Sequence, residues 1–365
     1  MSRRNSYARS LIFSAAVIAL QPMVADDANA QSSVTLYGIV DASILYTTNT
    51  LNTKTGMNAG SQLSFTDSGF HPTVFGMRGT EDLGGGLRAV FALESGVSIA
   101  NGALGHSNGN LFGRQAWVGL NSRYGSVKAG VQFSPFFISL FALDPREGSF
   151  FGSGFINYAD NVAATGLFNS NSISYTSPEI AGIQTAVMYA LGGAAGNFQA
   201  GRQYSANLTY HLGGFLLTGA MYSGNSGGSA STTPIPSTVE FTGRMVGATY
   251  RFPNDLVIKA SYTLYKVAGS FDSKVYSAGG SYAFSPFVDF DAGIWYTQDG
   301  NSKGNHSLLA ASGINFALSK RTSLYGQVGY VTNHGLMHTG LSINNALYEV
   351  TGSTVGVSLG IRHMF

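Results

Sequence analysis

The chain has 365 residues, and its 20 Lys and Arg against 18 Asp and Glu leave a net charge of +2. This charge gives no bulk attraction to nucleic acid, and the absence of Cys excludes a fold held by disulfides. Only 10% of the residues are charged, against about 25% in a typical globular domain, and 48 are Gly, 24 Phe and 19 Tyr. This composition is unusual for a soluble protein.

The first 30 residues have the organisation of a secretory signal peptide. Three arginines stand among the first nine residues, residues 11–20 (LIFSAAVIAL) are mostly apolar, and Ala-Asn-Ala at 28–30 is a small-x-small cleavage site. A membrane anchor is the alternative, but this stretch is shorter than the roughly 20 residues that span a bilayer. We expect cleavage after Ala30, which leaves a mature chain with 17 Lys and Arg and 16 Asp and Glu.

From residue 34 onwards, apolar and polar residues alternate in segments with a period of two, which predicts β-strands. The mature sequence has no run of 18 apolar residues, as a transmembrane helix requires. An exported chain with few charges and many Gly and Tyr fits an all-β transmembrane barrel, in which strand residues face lipid and lumen in turn. Sixteen antiparallel strands are predicted, at 34–46, 71–80, 87–95, 112–120, 126–133, 171–177, 183–191, 202–211, 215–223, 242–252, 256–266, 274–284, 287–297, 306–318, 322–333 and 353–365.

The connections between these segments alternate between short and long, as in outer-membrane barrels. The longest, 134–170, lies between the fifth and sixth strands, and a loop of that length indicates a function. The short connections include 81–86, 212–214, 253–255, 285–286 and 319–321, and the long ones include 47–70, 96–111, 134–170, 224–241 and 334–352.

The alternation also assigns a face to each strand residue. In 256–266, for example, Ile258 is predicted to face lipid, whereas Lys259 and Tyr265 face the lumen. Outward aromatic residues just before the short turns predict a girdle at one membrane interface. They are Tyr210, Tyr250, Phe252, Tyr282, Phe284 and Phe365. The last strand is predicted to close the barrel against the first, with the C-terminal Phe365 in this girdle.

Six stretches together resemble the trimeric, sixteen-strand general porins of β-proteobacteria. They are SSVTLYGIVDAS, FGMRGTEDLGGGLRAVFALESG, GRQAWVGLNSRYGSVKAGVQ, SISYTSPEIAG, ALSKRTSLYGQVGYV and GIRHMF. The resemblance covers residues 31–365 and implies a homotrimer in the cell outer membrane that lets small hydrophilic solutes and ions diffuse passively. It further implies that the barrel assembly machinery reads the C-terminal aromatic strand, and that the channel needs no cofactor or metal. The third long loop, 134–170, is expected to fold inward and narrow the pore.

In this family, acidic residues of the third loop face a basic row on the opposite wall. Parity puts Arg78, Arg88, Arg114 and Lys128 on that wall, and the loop carries Asp144, Arg146, Glu147 and Asp160. Tyr37 and Asp41 share the inward face of the first strand. Charges across a narrow gap make a transverse field that screens solutes.

Some of these residues have a second interpretation. Arg78 lies near a short turn, so it lines either the constriction or the vestibule. Asp41 lines the lumen or ties down local backbone. Asp144, Arg146 and Glu147 face the pore or pair with one another and hold the loop.

Two departures from the family pattern thin the basic row. Val74 stands where relatives often have Arg, and Phe168 or a neighbour occupies another such position. These changes argue against strong anion preference and indicate a less polar pore.

Other functions are disfavoured. A substrate-specific channel is the main alternative, but it requires an aromatic slide or an Arg ladder, and Tyr265, Trp295 and Tyr325 are too scattered to make one. Outer-membrane enzymes have fewer strands, and no Ser-His-acid group stands out among seven His. His334 and His338 have metal spacing only on a helix, and Gly335 argues against one there.

Overall fold

A closed antiparallel β-barrel forms the wall of the molecule. The computed structural model describes residues 33–162, 167–225, 240–267 and 269–365, so the predicted signal peptide lies outside the described residues. Within these ranges sixteen barrel strands pair in chain order, and the last pairs with the first. No helix in the described part of the chain is long and apolar enough to cross a membrane.

Sixteen strands are therefore both expected and found, although the second is interrupted and consists of β2 and β3. A small hairpin, β17 and β18, lies apart from the barrel wall. The strands are β1 Ser33–Thr47, β2 Gln62–Asp67, β3 Val74–Asp82, β4 Arg88–Gly96, β5 Gln115–Ser122, β6 Gly125–Gln132, β7 Asn169–Thr176, β8 Ile183–Ala190, β9 Gln203–Leu212, β10 Phe215–Gly224, β11 Phe241–Arg251, β12 Val257–Val267, β13 Phe271–Ser285, β14 Val288–Asp299, β15 His306–Ala317, β16 Thr322–His334, β17 Thr339–Ser342, β18 Ala346–Tyr348 and β19 Gly352–Met364.

The barrel closes between β1 and β19, in a register that runs from Ile39 opposite Met364 to Thr47 opposite Gly356. The C-terminal residue extends this pairing, because Gly38 and Phe365 exchange two backbone hydrogen bonds of 3.2 and 3.1 Å. The phenyl ring of Phe365 lies over Gly38, where a Cβ would collide with it. The predicted closure is confirmed, and Gly38 makes room for the terminal ring.

The predicted faces are also found. On β12, Ile258 is exposed on the outer surface, whereas Lys259 and Tyr265 are buried inside. The short turns lie at one end of the barrel, which we call the turn end, and the longer connections at the other, which we call the loop end. The hydrophobic core lies within the barrel and includes the fully buried Trp295 and Leu309. Part of the lumen is therefore packed.

The second strand is the main departure from the predicted boundaries, because 71–80 was expected and the strand begins at Gln62 and breaks at 68–73. The side chain of Asp41 explains the break. Its fully buried carboxylate accepts backbone hydrogen bonds from Gly69 and His71, both of 2.9 Å, and from Phe70 at 3.3 Å. Asp41 thus ties down local backbone, the second of its two interpretations, and three amides that leave the sheet are satisfied by one side chain.

Replacing Asp41 with Ala is expected to lower the free energy of unfolding by about 2–4 kcal/mol, because it leaves several buried amides without an acceptor. Urea unfolding in detergent, followed by tryptophan fluorescence, measures this loss. Asp289→Ala is the matched control, since Asp289 is an exposed inward carboxylate at the turn end. Equal stability of the two variants would contradict the structural role of Asp41.

Candidate functional site: the lumen and its inward loops

The loop between β6 and β7 folds into the barrel and carries two helices, α1 Pro135–Leu143 and α2 Gly154–Val162. It spans 133–168, within two residues of the predicted 134–170. Ser134 begins α1, since its Oγ accepts a 3.1 Å hydrogen bond from the Phe137 amide, and Pro135 suits the first turn. The helix packs against the inner surface of β9, β10 and β11. The loop therefore occupies the side of the lumen next to these strands, which we call the packed half.

Inward-facing glycines determine how closely this loop approaches the wall. A Cβ on Gly243 of β11 would lie 2.9 Å from the ring of Phe136, and one on Gly247 would lie 2.8 Å from Leu143. These distances are shorter than the carbon contacts of a packed interior. Helix α1 can lie directly on β11 because both positions lack a side chain.

Asp144 ends α1 and organises the rest of the loop. It is almost fully buried, and its carboxylate accepts hydrogen bonds from the amides of Arg146, Gly148 and Gly154 at 2.9, 3.0 and 2.6 Å. The Gly154 amide is the first of α2, where a negative charge is favoured. The Asp144 carboxylate does not act as a pore-facing acid, because its oxygens accept these three hydrogen bonds from the loop backbone. The structure favours the interpretation in which this residue holds the loop.

Arg146 attaches the loop to the opposite wall and is 0% exposed. Its Nε pairs with Asp291 on β14, its Nη1 donates to the carbonyl of Gly152 at 3.1 Å, and its Nη2 donates to Gln327 on β16 at 2.8 Å. A buried guanidinium needs such partners to offset its lost hydration. Arg146 was predicted as a pore residue; in the structure it lies inside the packed half of the lumen.

The loop before β19 also folds inward, through the β17–β18 hairpin. The amide of Gly152 donates to Leu341 and the amide of Ile343 to Phe150, both at 2.8 Å, so the hairpin and the third loop share a short ladder. Phe151 packs against Leu341 in the core. The two inward loops therefore form one unit.

The other side of the lumen, which we call the open half, contains a chain of interacting polar side chains on β1, β3, β4 and just before β5. Arg114 Nε donates to Glu94 Oε1 at 2.7 Å, and the hydroxyl of Tyr37 donates to Glu94 Oε2 at 2.9 Å. The guanidinium carbon of Arg78 lies 5.3 Å from the centre of the Tyr37 ring. We call Tyr37, Arg78, Glu94 and Arg114 the charged cluster.

Two cavities flank the charged cluster. The loop-end cavity, about 570 Å³, reaches Arg114 and is lined mainly by aromatic and aliphatic side chains of the third loop. The turn-end cavity, about 540 Å³, reaches Arg78 and is lined mainly by polar residues of β1 and β3–β8. The charged cluster therefore contacts the loop-end cavity through Arg114 and the turn-end cavity through Arg78.

The remaining predicted residues lie around this path. Lys128 lines the turn-end cavity, and its Nζ lies 4.2 Å from the centre of the Trp117 ring. Arg88 is exposed at the turn end, and Glu147 is exposed on the third loop. Asp160 lies in α2, and its side chain is outside the described residues. The structure thus brings together Tyr37, Arg78 and Arg114 and leaves Arg88 apart.

Three functional residues were missed by the sequence reasoning. Glu94, in FALESG, has the inward parity of β4 and was the available signal for an acid beside Arg114. Asp291, on the inward face of β14, was not among the predicted site residues, and it pairs with Arg146. Gln327 gives no local signal, since its partner lies 181 positions away.

A closed sixteen-strand barrel with an inward loop and a polar path beside it defines a class of protein, the outer-membrane diffusion channels. The chain belongs to the Gram-negative porin family, whose profile matches residues 14–336. It is 29% identical over 371 residues to outer membrane porin protein 32 of Delftia acidovorans, with 96% of this chain and 99% of that protein covered.

Solved structures agree with this assignment. The anion-selective porin from Comamonas acidovorans has a TM-score of 0.78 and 26% identity, with 92% of this chain and 100% of that chain covered. OmpF of Salmonella typhi shares the fold at a TM-score of 0.61 and 15% identity, with 92% and 99% covered. The protein is an outer-membrane channel for passive diffusion, as predicted.

Replacing Arg146 with Ala is expected to detach the third loop, because it removes a fully buried guanidinium and leaves the partly buried Asp291 without its cation. Breaking a buried pair costs about 3–5 kcal/mol. We expect single-channel recordings in planar bilayers to show larger and noisier open currents than the unchanged protein. Arg123→Ala is the control, since Arg123 is exposed at a turn. A folded variant with unchanged, quiet current would contradict the anchoring role.

Proposed function

We propose that this porin selects small hydrophilic solutes and ions by pore size and by the charged cluster, with weak preference between anions and cations. The supporting observation is the pairing of Arg114 with Glu94 at 2.7 Å between the two cavities. A neutralised pair presents a dipole to a passing ion rather than a net charge. Only charges near the narrow part of a pore act strongly on the permeant ion.

The Comamonas porin is named as anion-selective. For this chain we propose a weaker preference for anions. Glu94 offsets the charge of Arg114, and Arg78 and Lys128 remain as cations in the turn-end cavity. Phe168 lies beside Arg114, its ring centre 5.6 Å from the guanidinium carbon. These residues support a mild bias toward anions.

The proposal includes transport without chemistry, cofactor or metal, in a homotrimer. Outward strand faces rich in exposed apolar residues suit both lipid and a second copy of the chain. We also propose that the chain is exported with cleavage after Ala30 and assembled into the membrane through the aromatic end of β19. Cross-linking in membranes and N-terminal sequencing test the trimer and the mature start at Gln31; a monomer, or a retained leader, would count against them.

Glu94→Gln and Arg114→Gln are expected to shift ion selectivity in opposite directions. Removing the carboxylate leaves Arg114 unpaired and favours anions, whereas removing the guanidinium leaves Glu94 and favours cations. A unit charge about 4 Å from an ion in water is worth about 1 kcal/mol, which corresponds to about a five-fold change in permeability ratio. The reversal potential across a KCl gradient in planar bilayers measures this ratio.

Lys54→Gln serves as the control, because it removes one positive charge from an exposed long loop away from the cluster. Its permeability ratio should match that of the unchanged protein. Shifts of the same sign in Glu94→Gln and Arg114→Gln would refute control by the cluster. Silence from folded barrels would refute diffusion itself.

A further inference from the structure

The wall of the loop-end cavity is unusual for a path that passes hydrophilic solutes. Apolar side chains of the third loop and its flanks make most of it, including Phe133, Phe137, Ile138, Phe141, Phe155 and Phe168. Two of them are open to the cavity rather than packed, since Ile138 is 53% exposed and Phe141 44% exposed. Ligand sites are typically concave and lined mostly by apolar and aromatic side chains, and a contiguous exposed apolar patch marks such a site.

These two side chains do not belong to the core of the loop. Helix α1 buries Phe136, Leu140 and Leu143 against the barrel wall. Ile138 and Phe141 lie on its other side, toward the cavity. They also face away from lipid, because the helix lies inside the barrel. Neither loop folding nor membrane contact accounts for them.

The rings around this cavity are arranged in contact with one another. Phe133 has its centre 5.5 Å from that of Phe137 and 5.9 Å from that of Phe168, and Phe141 lies 6.0 Å from Phe155. Centroid separations of about 4.5–7 Å are those of attractive aromatic pairs. Because Phe137 and Phe155 also lie 5.0 Å apart, the five rings form one continuous aromatic surface on the wall of the cavity.

One cation completes the site. The guanidinium of Arg114 lies against the rings of Phe133 and Phe168, which also contact each other, with its carbon 5.7 and 5.6 Å from their centres. Its Nε and Nη1 donate to Glu94 and to the carbonyl of His106. Its Nη2 has no hydrogen-bond partner among the described residues, so it can donate to a ligand.

The other titratable groups of the wall are neutral. Nδ1 of His71 lies 2.8 Å from Nη1 of Arg362, which can only donate, so this imidazole accepts and is uncharged. Burial lowers the pKa of His106, with the positive charge of Arg114 a smaller cause in the same direction. Glu94 pairs with Arg114 but does not line the cavity, so Arg114 is the one charged side chain among the described residues on its wall.

We propose that the loop-end cavity binds solutes in which an aromatic ring carries an acidic group, such as aromatic carboxylates, and so admits them ahead of purely polar anions. The ring stacks among Phe133, Phe141 and Phe168, and the carboxylate accepts from Arg114. The cavity volume of about 570 Å³ lies within the range of small-molecule sites, about 300–1,000 Å³. The proposal rests on the diffusion function, whose substrate class it names.

The test is the block of single-channel current by benzoate added to the loop end, compared with glucuronate, a polar anion that also has one carboxylate on a six-membered ring. Benzoate is expected to interrupt the KCl current at concentrations where glucuronate does not. Phe141→Asn should raise the half-blocking benzoate concentration about ten-fold, which corresponds to about 1.4 kcal/mol. This is close to the lower value for burying such a side chain.

Phe198→Asn is the matched control, since Phe198 is 79% exposed on another connection at the loop end. Arg114→Gln separates the two halves of the site, because it should weaken block by benzoate and leave block by uncharged benzyl alcohol in place. The inference fails if benzoate and glucuronate block alike, or if Phe141→Asn and Phe198→Asn behave alike. The KCl current recorded before each addition distinguishes this failure from that of the diffusion function, which would abolish the current.

Discussion

A peptide group that faces hydrocarbon has no water to bond with, so each strand of this protein must pair on both sides. That constraint explains the closure of β1 against β19 and the hydrogen bonds that Phe365 makes with Gly38 at the end of the last strand. Without β19, one edge of β1 from Ile39 to Thr47 would have no partner. The barrel is then a fixed cylinder, and the lumen is the space in which sequence differences act.

Inward glycines and one buried arginine determine how the third loop divides that space. Inward glycines on β11 let helix α1 lie against the wall, and the buried Arg146 bonds the loop to Asp291 and Gln327 on strands beyond it. Half of the lumen becomes a hydrophobic core, in which charges occur as satisfied pairs or capped groups. The charged cluster lines the other half, with one cavity on its loop side and one on its turn side. The route for solutes is therefore what the loop does not fill.

The wall of the barrel was predictable from the sequence because its rules are local. The period of two, the short turns and the terminal Phe365 each appear within a few residues, and the structure reproduces the strands within a few positions. The break in the second strand was not predictable from the sequence, since it depends on Asp41 accepting hydrogen bonds from amides 28 to 30 positions away. Arg146 and Glu94 are similar: their residue types are visible, but which partner neutralises each depends on the three-dimensional fold.

The position of Phe168 connects the sequence departures to the chemistry of the pore. A second arginine there would repel Arg114 across a small gap, whereas a ring attracts it through its negative face. Arg114 therefore rests against two rings that also contact each other, and Glu94 balances its charge from the strand beside it. In the proposed function, a ring in place of a basic residue lowers the field across the pore and adds apolar surface at the same point. Selection in such a channel shifts from net charge toward the shape and polarity of the solute. Salt screens the remaining charges beyond about 8–10 Å, whereas a ring acts only on a solute that touches it.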